Sequence, residues 1–109
     1  MKKIENNSLS INNVGEIVEL YGFVGKKRNL GGLVFIDLRD RSGIVQLVAR
    51  PEDSIYETAL TLKNEYVIKV IGTVSERESK NDKLDTGDIE VLIKELEKKT
   101  NLSFWTLGV

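Results

Sequence analysis

The sequence predicts a small all-β domain: a five-stranded Greek-key barrel with one helix between its third and fourth strands. Three observations lead there. Apolar and polar residues alternate with the two-residue period of half-buried strands in three successive segments. One helical pattern follows the third segment, and two further runs with β-branched residues come after it. At 109 residues the chain has room for one core, and a sandwich or jelly roll needs more strands than it supplies.

The elements follow in order. Ser10 to Gly15 reads as one capped helical turn ending at a glycine. Glu16 to Lys27 is the first strand, with Val18, Leu20 and Val24 on one face and Glu19 and Tyr21 on the other. Gly22 and Gly25 inside it predict a bend or bulge of the sort that barrel closure needs. In the second strand, Leu33 to Asp40, Val34, Ile36 and Leu38 point one way and Phe35, Asp37 and Arg39 the other. Asp40 to Gly43 is a tight turn with glycine in last place. Ile44 to Ala49 is the third strand, its Val45, Leu47 and Ala49 continuing the core. Pro51 to Lys63 reads as a helix opened by a Ser54-x-x-Glu57 capping box, with Ile55, Ala59 and Leu62 on one side. Tyr66 to Val74 is the fourth strand, Ser75 to Thr86 a charged loop, and Asp88 to Leu96 the fifth strand or a mixture of strand and helix. Three strands, a helix and two strands is the order of an OB-fold, which binds oligonucleotides on its second and third strands. Residues 1–15 are expected to be an N-terminal extension, 16–100 the OB-fold domain and 101–109 a tail carrying Phe104, Trp105 and Leu107.

Composition narrows the function. The chain has neither cysteine nor histidine. Disulfides and thiolate metal sites are excluded, and so are the commonest general base and the commonest nitrogen ligand. No apolar run approaches the ~20 residues of a membrane helix, and the first residues, Met1 to Asn7, have no apolar stretch like a signal peptide. A cytoplasmic location without a membrane partner is expected. Net charge is −1 and the sequence pI is about 5.5, so any nucleic-acid role rests on a local patch rather than on bulk electrostatics. No catalytic constellation is evident. Asp37, Asp40 and Asp53 are dispersed, and Asn81 to Asp88 lacks the spacing of a calcium loop, so no metal or cofactor is expected in this chain.

Phe35 is the most informative residue. The core of its strand is already supplied by Val34, Ile36 and Leu38, so its ring falls on the polar face beside Asp37 and Arg39. A ring exposed there can stack a base for about 1–3 kcal/mol; a ring covered by a loop or by Tyr21 cannot. If Asp40 pairs with Gly43, Asp37 faces Gln46 and Phe35 faces Val48, which puts Gln46 diagonally beside Phe35 on one surface. An amide offers donors and an acceptor to the edge of a base. Lys26, Lys27 and Arg28 end the first strand and open a loop, Asn29 to Gly32, whose charges can meet phosphates. Arg77 and Asn81 lie in the loop after strand four, which often flanks the same groove. Glu90 on strand five is useful near RNA only as an acceptor from base N–H groups. Each of these residues also reads as an ordinary solvated one.

The run Arg28-Asn-Leu-Gly-Gly-Leu-Val-Phe-Ile-Asp-Leu-Arg-Asp-Arg-Ser-Gly-Ile-Val-Gln46 resembles the N-terminal anticodon-binding domain of bacterial-type aspartyl-tRNA synthetases. So do Asn64 to Ile68, Gly72 to Val74 with Arg77, and Thr86 to Val91. The resemblance runs from about Ile11 to Leu96. Lysyl and asparaginyl synthetases share the fold and a Phe/Gln pair but resemble these strings less closely. The resemblance implies that Phe35 stacks on the central anticodon base, a uridine, and that Gln46 and Arg28 contact that base. It implies that Glu90 recognises the first base, a guanine or its queuine derivative, and that Arg77 and Asn81 lie near the third base or the loop backbone. Lys26 and Lys27 stand where the family usually has arginines, so phosphate contact is kept while bidentate recognition is not. Phe23 replaces a common tryptophan, and Asn29 a usual aspartate.

The implied partner is the anticodon loop of tRNA-Asp with anticodon GUC, and the implied parent enzyme is a homodimer, the domain alone a monomer. No class II catalytic domain is included, so this chain alone is not expected to aminoacylate; ATP and Mg would belong to the missing domain. Two other classes remain open on the residues: a general single-strand binder, with comparable affinity for unrelated oligonucleotides, and a protein-interaction OB domain, for which the Phe104-Trp105-Leu107 tail is the candidate surface.

Overall fold

In a computed structural model, residues 4–99 are described. Five strands, β1 (Ile17–Leu30), β2 (Leu33–Asp40), β3 (Gly43–Ala49), β4 (Val67–Glu76) and β5 (Ile89–Lys99), close into a barrel in the order β1-β2-β3-β5-β4. One short helix, α1 (Tyr56–Thr61), lies between β3 and β4. This is the OB-fold that the sequence predicts. Neighbouring strands are antiparallel except β3 and β5, which run parallel through Gln46↔Glu90, Leu47↔Val91 and Val48↔Leu92.

Alternation builds the core. Val18, Leu20 and Val24 of β1, Val34, Ile36 and Leu38 of β2, and Val45, Leu47 and Ala49 of β3 all point inward and are buried. Ile68, Val70 and Val74 of β4 and Ile89, Val91 and Ile93 of β5 complete the ring, with Leu9, Ala59 and Leu62 joining the same cluster. Ser10 caps the 3-10 turn Ile11–Asn13 as expected. An unforeseen turn, Asn6–Ser8, precedes it. Its buried Asn6 donates to the Leu38 and Gly43 carbonyls at 2.9 and 3.1 Å and latches the β2–β3 connection. Asp40 forms that connection by accepting from the amides of Ser42 and Gly43.

Three strand ends lie more than one residue beyond the sequence reading. β1 does not end at Lys27. Its ladder with β2 continues to Leu30↔Leu33, and the loop expected over Asn29 to Gly32 shrinks to Gly31-Gly32. Both glycines have positive φ, 59° and 87°, as a two-residue hairpin turn requires. The expected bulge lies at Gly25, where the β1–β2 register shifts between Val24 and Lys26. At Gly22 a Cβ would collide with the Arg39 carbonyl, which is the close approach that keeps a side chain out of that position. β4 extends to Glu76, and β5 is strand throughout to Lys99, because its pairing with β4 runs from Val67↔Lys99 to Glu76↔Ile89 with one register shift between Ile71 and Gly72. Residues 101–109, with Phe104, Trp105 and Leu107, lie outside the described residues.

The helix is the largest correction. It covers Tyr56–Thr61 rather than Pro51 to Lys63, and its N-cap is Ile55 with no side-chain cap. The Ser54-x-x-Glu57 box does not form. Asp53 organises the segment instead, accepting from the Arg50 amide at 2.8 Å and from its guanidinium at 3.0 Å, while its carbonyl accepts from the Tyr56 amide. Burial opposes the charged form of Asp53, but these bonds and the Arg50 charge hold its carboxyl below the usual value. A depressed carboxyl contributes stability that is present above the ordinary aspartate value of about 3.9 and is lost as pH falls through the folded value. Asp53→Asn is therefore expected to lower the urea midpoint at neutral pH, with the gap to the parent closing below about pH 4. A gap that stays constant with pH would contradict this role.

Candidate nucleic-acid interface

The outer face of β2 carries Phe35, half-buried, with its partner Arg28 directly across the β1–β2 ladder. The Arg28 guanidinium lies over the Phe35 ring, 5.6 Å from its centroid, an attraction worth roughly 0.5–2 kcal/mol depending on solvation. The expected pairing of Asp37 with Gln46 and of Phe35 with Val48 is observed. Gln46 Oε1 accepts from Arg28 Nη2 at 3.0 Å, and Gln46 Nε2 donates to Glu90 Oε1 at 2.9 Å. The Gln46 side chain is thus held between a cation and an anion from two other strands, and the residue is only 5% exposed.

These side chains form the floor of an open groove of about 600 Å³. Leu30 and Leu33 from the β1–β2 hairpin, Val48 of β3 and Leu92 of β5 supply its apolar surface. Its far wall is Ser75 to Ser79, the end of β4 and the start of the next loop, including Arg77, whose backbone donates to the Asp88 carbonyl at 2.9 Å. Two cations, Arg28 and Arg77, face three carboxylates, Glu76, Glu78 and Glu90, around this space; Glu76 is paired with Lys80 at 2.9 Å. A groove without a cationic excess is suited to stacking and directional hydrogen bonds rather than to gathering phosphates.

The structure therefore brings together Phe35, Gln46, Arg28, Glu90 and Arg77. It does not bring the other three expected residues to the groove. Lys26 sits exposed on the same face but opposite Asp37, beyond the lining. Lys27 alternates to the other face, where its ammonium donates to the Leu60 carbonyl of α1 at 2.6 Å. Asn81 shapes its own loop: its amide donates to Gly87 O, and its side chain accepts from the Lys83 amide, both at 3.0 Å. Tyr21 pairs with Lys69 of β4 and is not among the residues that line the groove. The sequence reading missed Leu30, Leu33, Val48 and Leu92; two-residue steps from Arg28, Phe35, Gln46 and Glu90 point to them. Among the described residues no group of His, Cys, Asp and Glu could hold a metal ion, and no helix is long and apolar enough to cross a membrane.

Residues 14–98 match the tRNA anti-codon family, described as an OB-fold nucleic acid binding domain. An aspartate–tRNA ligase of Streptococcus thermophilus is 51% identical over 87 residues, 77% of this chain and 15% of the ligase. One from Ruminiclostridium cellulolyticum is 53% identical over 91 residues, 81% of this chain and 15% of that protein. The asparaginyl-tRNA synthetase of Pyrococcus horikoshii complexed with asparaginyl-adenylate superposes with a TM-score of 0.78 at 26% identity, covering 94% of this chain and 23% of that one. The chain spans about 15% of the length of the curated relatives it matches.

Proposed function

The chain belongs to the tRNA anti-codon family of OB-fold nucleic acid binding domains, and from that premise we propose that it is the anticodon-loop reader of an aspartate–tRNA ligase. The observation that carries this reading is the outward Phe35 ring in an open groove, with Arg28 over it and the Gln46–Glu90 pair beside it. Phe35 stacks the central anticodon base, a uridine, and Gln46 and Arg28 meet its edge. Glu90 keeps a second carboxylate oxygen for N–H donors of the first base, a guanine. Arg77 meets the third base or the loop backbone, with Asn81 holding the loop that carries it. Lys26 is available to a phosphate at the end of the same face, and Lys27 braces the strand from behind. Aspartate, ATP and Mg are handled elsewhere in the longer ligase, so the isolated chain binds tRNA-Asp without charging it.

A general single-strand binder is the competing reading, and the charge balance of the groove argues against it. Titration with a GUC anticodon stem-loop and with the same stem carrying a scrambled loop separates the two. The anticodon reading expects a clear preference for GUC and a shallow salt dependence, with a log–log slope of about one to two for two cations. Equal affinities with a steep slope would replace it by the general binder.

A further inference from the structure

We infer that Glu90 sets the base preference at the central position, by fixing which way round the Gln46 amide lies. The inference rests on the anticodon reading above. A glutamine amide reads two ways: half a turn about its last torsion exchanges donor and acceptor. Its neighbours remove that freedom. Arg28 approaches Oε1 at 3.0 Å and has only hydrogens to offer. Glu90 approaches Nε2 at 2.9 Å and, as a carboxylate, only accepts. Reversing the amide would press its NH₂ against the guanidinium and its oxygen against the carboxylate, exchanging two charge-assisted bonds for two repulsions. At 5% exposure, little water is available to Gln46 in compensation.

The backbone enforces the alignment. Gln46 and Glu90 are direct partners where β3 and β5 run parallel, and Arg28 is tied to Phe35 across the β1–β2 ladder. What the amide has left for a base is one lone pair on Oε1 and one hydrogen on Nε2, in a fixed order. Uracil presents N3–H and O4, whereas cytosine presents N3 and N4–H₂, the reverse pattern. An amide free to turn would accommodate both; a clamped one matches a single pattern. Glu90 is then a positioning residue for the central base, separate from any base it touches itself.

The test compares stem-loops with central uridine and central cytidine, both abasic at the first anticodon position so that a direct contact of that base with Glu90 is absent. The parent is expected to prefer uridine by about tenfold, the worth of one well-made hydrogen bond. Glu90→Gln removes one of the two restraints on Gln46 and leaves the Arg28 bond in place, so it is expected to narrow the ratio to about threefold, mainly by admitting cytidine. The side-chain ¹⁵N–¹H₂ signal of Gln46 gives a second readout, independent of RNA. In the parent its carboxylate-bonded hydrogen resonates downfield, and in the variant that displacement is lost while the backbone spectrum stays folded. An unchanged uridine preference in the folded variant, or an unchanged Gln46 signal, overturns the inference. A parent without any uridine preference overturns the anticodon reading itself, and the inference with it.

Discussion

Phe35→Ala is expected to weaken binding of the GUC anticodon stem-loop by about 1–3 kcal/mol, or roughly 5- to 150-fold, and to lower the unfolding stability only by the lost Arg28–ring contact, roughly 0.5–2 kcal/mol. The ring is on the outer face, and the inner face beside it is filled by Val34 and Ile36, both 0% exposed. Truncation removes the proposed stacking surface and the ring beneath the Arg28 guanidinium, while the barrel keeps its core. Phe35→Trp should retain most of the affinity, because any flat aromatic ring stacks a base. Calorimetric titration checks both variants. Full affinity in the folded alanine variant would remove stacking from the account.

Ile36→Ala, one residue along, is expected to do the opposite. Ile36 is 0% exposed in the centre of the barrel and pairs with Leu47 of β3, itself 0% exposed. Emptying that position should cost about 2–5 kcal/mol of stability, a large part of the roughly 5–15 kcal/mol of a typical domain. Urea unfolding should show a lower midpoint at an unchanged slope. At temperatures where the variant stays folded, RNA affinity should hold, because the side chain points away from the groove. The contrast between positions 35 and 36 separates the two faces of one strand.

How much of this was legible in the sequence differs between elements. β2 and the β2–β3 register were readable because strict alternation fixes the faces, and the Asp40-to-Gly43 turn fixes the pairing of Asp37 with Gln46. The far end of β1 was not. Lys27, Arg28, Asn29 and two glycines look like a loop locally, and only the ladder with β2 keeps them extended to Leu30. The charged run of β5 suits a helix by propensity, yet pairing with β4 overrides it, and Leu96 packs against the core. In the helix region two short polar side chains competed to organise the turn, and Asp53, with Arg50 as its partner, took the place assigned to Ser54. Charge alone placed Lys26, Lys27 and Arg28 together, but a two-residue period sends Lys27 to α1 and Arg28 to the groove. The link from Gln46 to Glu90 joins positions 44 residues apart through a parallel pairing, which no local pattern announces.

The central claim is that the groove around Phe35 reads the central anticodon base. It is tested most directly by titrating the protein, to high concentration, with a GUC stem-loop and with one in which only the central uridine is replaced. The replaced loop is expected to bind more weakly by about tenfold or more, the worth of a lost hydrogen bond at the Gln46–Arg28 edge. Equal affinity for the two loops would contradict it.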